Sequence, residues 1–241
     1  MPLKGERCST CGSRKTNMWA YCNDKDGDTT YTTPYTKEIV KRASEMAKAS
    51  VASVKGFTFV LTRPPGHHAC SGKRLGFCHH NFAIDVLDSA HALGKTAVIL
   101  DIDAHHGDGT EEELLKRPYG SYISLHGFGK HIYPGTGATS SERILNIPLP
   151  VETTDAEWLS AYDAQATPWI LGAAADIIIL SAGFDAHAED TLAPLRLSIH
   201  AYTGLSQRLK RLGIPILAVL EGGYHIPVLA DCAVALVSAF V

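Results

Sequence analysis

Short apolar runs, each ended by Gly, Pro or a polar cluster, alternate along this chain with stretches whose apolar positions recur three and four residues apart. The runs predict strands at "FTFVL" 57–61, "TAVILDI" 96–102, "SYISL" 121–125, "ILNIPL" 144–149, "DIIILSA" 176–182 and "IPILAVLE" 214–221. Helical spacing predicts helices over about 81–93, 109–116, 155–172, 198–212 and 227–240. An earlier helix starts at Pro34, with Thr33 as its cap and Ile39, Val40, Ala43, Met46 and Ala47 on its apolar face. Strands that are apolar throughout and separated by helices predict an α/β fold, a three-layer sandwich with a central, mostly parallel sheet. Residues 1–30 show no sustained period and read as an irregular lead-in, which leaves 31–241 as one domain.

The unusual polar clusters fall where strands end. "RPPGHHAC" follows the first strand, "DIDAHHGDG" the second, "SLHGFG" the third, "SAGFDAH" the strand at 176–182 and "EGGYH" the last. The carboxyl ends of parallel strands form one edge of an open sheet, the edge at which ligands bind. Five polar motifs therefore converge on one rim.

Charge and composition narrow the function. The net charge of -3 and the lack of a basic tract argue against nucleic-acid binding, and a mildly acidic surface suits cationic substrates. No apolar run approaches the roughly 18 residues of a membrane helix. The start "MPLKGERCSTCG" lacks the apolar segment of a signal peptide, so the expected setting is cytoplasmic, or nuclear for a eukaryotic source. Six cysteines in 241 residues do not make a disulfide framework, and Cys70, Cys78 and Cys232 fall in core-like segments where reduced thiols are expected. Cys8 and Cys11 form a CxxC with Cys22 beyond it, but no fourth ligand stands at a zinc-site spacing.

The densest cluster is "LDIDAHHGDG", with three aspartates and two histidines in ten positions. Neighbouring carboxylates repel, and buried ones lose hydration, unless a cation offsets both effects. Residues two apart in an extended stretch face the same way, so Asp103 and His105 share a direction while Asp101 stands one step back. Asp185, after another strand, approaches from the far side. An Asp, His, Asp set leaves a coordination position open, as a catalytic zinc site requires, and its two carboxylates also suit iron(II). His67 and His68 follow the rigid turn "RPPG", and Asp101 and Asp108 are available to pair with them, each acid fixing a tautomer. Tyr224, after Gly222 and Gly223, is placed to direct its hydroxyl at a developing oxyanion. No helix pattern follows "PGTGATS" at 134–140, which reads as a plain loop rather than a phosphate cradle.

From about Asp26 to Tyr224 the chain resembles the zinc-dependent histone deacetylases and acetylpolyamine amidohydrolases of the arginase–deacetylase fold. The resemblance is carried by "DGDTTYTTP", "RPPGHHA", "GFC", "DIDAHHGDGT", "SLH", "YPGTG", "LSAGFDAH" and "LEGGY" in family order, in forms closest to class II and bacterial members. It implies that Asp103, His105 and Asp185 bind zinc. It implies further that His68, paired with Asp108, is the general base and acid, that His67, paired with Asp101, acts electrostatically, and that Tyr224 polarises the amide carbonyl. Phe77 and Tyr133 correspond to walls of an acyl-lysine channel, with Gly76 and Gly222 lining it and Asp28 at its rim. A structural potassium ion is implied at Asp101, Asp103, His105, Ser124 and Leu125. The implied substrates are acetylated lysine peptides or proteins and acetylated polyamines.

"RPPGHH" begins at residue 63 and 17 residues follow Tyr224, so the resemblance is to a compact version of the family, whose domain is expected to span 31–241. A shortened domain leaves sheet or channel rim for a second copy of the chain to cover. "HHNFAI" after Cys78 departs from the usual aromatic–Asn pattern, and His79 and His80 are expected to pack rather than to bind metal. Two other readings compete with amide hydrolysis: a noncatalytic acyl-lysine-binding protein, and a ureohydrolase, which needs a second metal.

Overall fold

The structure, a computed structural model, describes residues 20–23 and 29–241. Six parallel strands form one sheet: β3 (Phe57–Val60), β4 (Ala97–Asp101), β5 (Ser121–Gly127), β6 (Ile144–Leu149), β7 (Ile177–Ala182) and β8 (Ile216–Leu220). Strands β1 (Ala20–Asn23) and β2 (Thr29–Thr32) pair antiparallel in a separate ribbon that begins inside the 1–30 stretch read from sequence as irregular and ends just beyond it. The helices are α1 (Thr36–Ser50), α2 (Phe82–Ala92), α3 (Asp108–Leu115), α4 (Asp155–Ala161), α5 (Thr167–Gly172), α6 (Ile199–Leu212) and α7 (Ile226–Val237).

The uniformly apolar strands are buried on both faces, and alternate residues enter opposite layers. Val98, Leu100, Ile178 and Leu180 join a core with Trp158, Ile170, Tyr202, Leu209 and Leu236, from α4, α5, α6 and α7. Ala97, Ile99, Ile177 and Ile179 join a second core with Ala47, Phe82, Leu87 and Leu114, from α1, α2 and α3. These two layers and the sheet make the expected three-layer sandwich.

Strand order is β3-β8-β7-β4-β5-β6. The chain leaves β4 through α3 toward β5 on one side, and leaves β7 through α6 toward β8 on the other. Between neighbours β4 and β7 the direction of winding therefore reverses, and such a switch opens a crevice at the carboxyl ends of the two strands. "DIDAHHGDG" follows β4 and "GFDAH" follows β7, so the topology delivers both clusters to that crevice.

Several boundaries differ from the sequence reading. The first helix begins at Thr36 rather than Pro34, because the Thr33 hydroxyl is taken up by the Tyr35 amide and Thr36 hydroxyl in a local turn. The predicted 155–172 helix is broken by a π-helical turn over Tyr162–Ala166, and the last helix ends at Val237, followed by a 3-10 turn. β4 stops at Asp101, and 102–107 is bent, so strand alternation does not orient Asp103 and His105 as expected. A folded loop orients them.

Candidate active site

The loop after β4 is fastened by its own carboxylates. The Asp103 amide donates to Asp101 Oδ1 at 3.1 Å, and the His105 amide to Asp103 Oδ1 at 3.0 Å. From the loop after β7 the Asp185 Oδ1 accepts the Ala104 amide at 2.9 Å, and Asp103 Oδ2 accepts the Gly222 amide at 2.8 Å. Asp103 and Asp185 are buried, and His105 Nδ1 lies 3.2 Å from Asp103 Oδ1 and 3.0 Å from Asp185 Oδ2. One ligand atom from each of the three lies within 4.8 Å of the other two.

The electrostatics of this trio fit a cation. Burial and the Asp103 charge push the Asp185 carboxyl up to about 6. For His105, burial opposes the charged form, but the Asp185 and Asp103 carboxylates outweigh it and push the imidazole up to about 10. A protonated imidazole between two buried carboxylates balances charge that a divalent ion would balance with a neutral imidazole. Gly222 leaves the space the trio needs: a Cβ there would collide with Asp185 Oδ2 and stand 2.6 Å from Asp103 Oδ2. The donor set and this cradle both fit a zinc-type site.

His67 and His68 follow two prolines, which stiffen the turn and donate no backbone hydrogen bond. Their rings lie 4.0 Å apart, both buried. His67 Nδ1 sits 3.1 Å from Asp101 Oδ2, and His68 Nδ1 sits 2.7 Å from Asp108 Oδ1. The two imidazoles differ electrically. Burial and the neighbouring His67 charge push His68 down to about 4, despite the Asp108 hydrogen bond. Burial acts on His67 as well, but Asp103 and Asp101 override it and hold His67 well above the usual histidine range. The two imidazoles are thus pushed in opposite directions, each tied to its own carboxylate.

Tyr133, Phe77, Tyr224 and Gly76 are placed around the imidazole pair. Tyr133 stands edge-on to His68, with ring centroids 4.9 Å apart, and Phe77 stands edge-on to Tyr224 at 5.6 Å. Burial, with the Asp185 and Asp103 charges, pushes the Tyr224 hydroxyl up, which keeps it a proton donor. Gly76 lies against the His68 ring, where a Cβ would collide with Cδ2, and its φ of +53° favours glycine. Asp101 and Ser124 are register partners across β4 and β5, and Leu125 follows. Asp28 lies outside the described residues, as do Cys8 and Cys11. His80 bonds Asp85 at 2.6 Å and, with His79, lines a separate cavity of about 570 Å³ that includes none of the Asp103, His105 and Asp185 group.

Sequence reasoning missed four supporting residues. The Tyr122 hydroxyl donates to Asp101 Oδ2 at 2.9 Å, Asp190 Oδ2 accepts the Tyr224 amide at 2.7 Å, and His106 bridges Thr136 and Glu111 at 2.8 and 3.0 Å. Glu221 lies fully buried beside the His67 amide. A signal existed for Tyr122, since a tyrosine inside a fully apolar strand needs a partner for its hydroxyl.

A profile of the histone deacetylase domain matches residues 5–240. Histone deacetylase 15 of Arabidopsis thaliana is 34% identical over 222 residues, 84% of this chain and 40% of that protein. Acetylpolyamine amidohydrolase 1 of Pseudomonas aeruginosa is 34% identical over 185 residues, 73% of this chain and 53% of that protein. Among solved structures, the HD domain of HDA15 superposes with a TM-score of 0.83 at 32% identity, covering 92% of this chain and 67% of that one. The acetylpolyamine aminohydrolase of Burkholderia pseudomallei superposes at 0.80 and 28% identity, covering 89% and 65%. An uncharacterized Synechocystis protein is 39% identical, and the chain spans 59% of its length. Matched in profile from end to end and in fold along a single parallel sheet, this chain belongs to the histone deacetylase family.

Proposed function

We propose that this chain is an amide hydrolase that removes acetyl groups from lysine side chains or polyamines. The observation that carries this reading is the donor trio Asp103, His105 and Asp185 beside two buried imidazoles, each bonded to its own carboxylate. A divalent ion in the trio, zinc or alternatively iron(II), supplies Lewis acidity toward a carbonyl oxygen and an attacking water. His68, with Nδ1 held by Asp108, takes a proton from the water at Nε2 and returns it to the departing amine. His67, paired with Asp101, acts electrostatically on charge developing nearby. Tyr224 donates its hydroxyl to the carbonyl oxygen. Phe77, Tyr133, Gly76 and Gly222 flank the acyl-lysine stem, and Asp28 is assigned to the rim.

We assign the structural potassium to Asp101, Asp103, His105, Ser124 and Leu125, because oxygen donors suit a hard cation. Residues 31–241 are read as the catalytic domain, in a cytoplasmic setting and with a second copy as an oligomeric partner. Neither the noncatalytic nor the ureohydrolase reading is favoured by relatives named as deacetylases and amidohydrolases.

Acetate release, measured side by side on an acetyl-lysine peptide and an acetylated polyamine, tests the reading and selects the substrate. Turnover on one of them, lost on chelation and restored by zinc, is expected. Tyr224→Phe should lower kcat by about 10²–10³-fold. A metal-loaded preparation inert on both would refute the assignment.

A further inference from the structure

The "EGGYH" motif contributes more than its tyrosine. We propose that Glu221 is a positioning residue for the imidazole pair and that, with Arg63, it locks the Tyr224 loop to the loop bearing His67 and His68. This rests on the amide-hydrolase reading above.

Glu221 is fully buried at the end of β8. Burying a carboxylate is unfavourable unless its oxygens are used, and here they are. Oε2 accepts the Gly66 amide at 2.6 Å and the His67 amide at 3.0 Å, while Oε1 accepts the Ser181 hydroxyl of β7 at 3.2 Å. Pro64 and Pro65 have no N–H, so Gly66 and His67 supply the first amides after the rigid turn. Glu221 takes both.

The grip is reciprocal. Arg63 Nη1 donates to the Glu221 carbonyl at 3.2 Å and Nη2 to the Gly223 carbonyl at 3.0 Å, and the Thr62 hydroxyl donates to the Leu220 carbonyl at 2.9 Å. Side chains of 62–63 thus hold the backbone of 220–223, and the side chain of 221 holds the backbone of 66–67. His68 and Tyr224 must meet different atoms of one amide, so their separation has to be fixed. This lattice fixes it across segments some 155 positions apart in sequence. Because Glu221 has no exposed surface, it acts through His67 rather than on substrate.

Glu221→Ala and Glu221→Gln separate this role from bulk stability. The glutamine keeps an oxygen for the two amides and turns an NH2 toward Ser181; the alanine leaves both amides without an acceptor. In Glu221→Ala we expect a kcat loss of about 10²-fold, the scale of an ångström-sized misplacement. Metal content and KM should stay near wild type. The downfield imidazole N–H resonances of His67 and His68 in 15N-histidine-labelled protein should shift or broaden. Glu221→Gln should recover both kcat and resonances. Should the alanine variant not fold, Glu221→Asp, which withdraws the carboxylate by one methylene, carries the same expectation.

Wild-type-like turnover and resonances in the alanine or aspartate variant would overturn the proposal, as would a glutamine variant no better than alanine. If wild type hydrolyses no acylamide, the functional reading fails separately, and the resonances still decide the role of Glu221.

Discussion

At Gly222 the absence of a side chain has a direct chemical consequence. The two nearest atoms a Cβ would meet are oxygens of Asp185 and Asp103, the two carboxylates of the donor trio. Gly222→Ala should therefore push them apart and weaken metal binding, by about 10–100-fold if the displacement resembles loss of an orienting contact. Metal content of purified protein at limiting zinc, read by elemental analysis, checks this; full occupancy would show that the loop yields instead. Phe77 shows the opposite case, since it holds a φ of +65° with a bulky side chain, a conformation that costs about 1–2 kcal/mol. Its ring packs edge-on to Tyr224, so backbone strain is accepted at the site.

Among the elements, α3 joins the site to the loop behind it. Its first residue, Asp108, holds His68, and its Glu113 accepts both the Ser71 amide and hydroxyl at 2.6 Å. Burial alone would push Glu113 up, but hydrogen bonds from Lys116, Ser71 and Arg117 outweigh it and bring the carboxyl down to about 2. A carboxyl depressed in the folded state contributes stability fully present above its unfolded value near 4.5 and lost as pH falls toward 2. Urea midpoints should therefore drop between about pH 5 and 2.5, and less steeply in Glu113→Gln. Equal slopes in the two proteins would assign the acid sensitivity elsewhere. Element types were legible from the apolar pattern because burial on both faces leaves the strands uniformly aliphatic, whereas the π turn at Tyr162–Ala166 carries no such mark.

For the molecule as a whole, the sheet bears the load and the rim bears the chemistry. Leu180 is fully buried in β7, and Leu180→Ala should cost about 2–5 kcal/mol by denaturant titration. Its kcat well below the unfolding transition should remain close to wild type, because the reacting groups stand beyond the strand ends. A kcat loss without destabilisation would break this division. The chain spans 59% and 64% of the lengths of two relatives it matches, from Synechocystis and Methanocaldococcus jannaschii. Among the described residues no helix is long and apolar enough to cross a membrane.

Local order along the chain was enough to place strands, helices and the polar clusters that end them, because burial period and motif spacing depend on neighbours a few positions apart. It was also enough to nominate Asp103, His105, Asp185, the histidine pair and Tyr224. Strand order was not legible, since identical apolar runs fit any position in a buried sheet, and only packing put β7 beside β4 and thereby Asp185 beside Asp103. For the same reason His80 turned to Asp85 and a separate cavity, and Glu221 disclosed its purpose only against amides more than 150 residues away. A carboxylate's partners across such distances are chosen by the closed three-dimensional contact set.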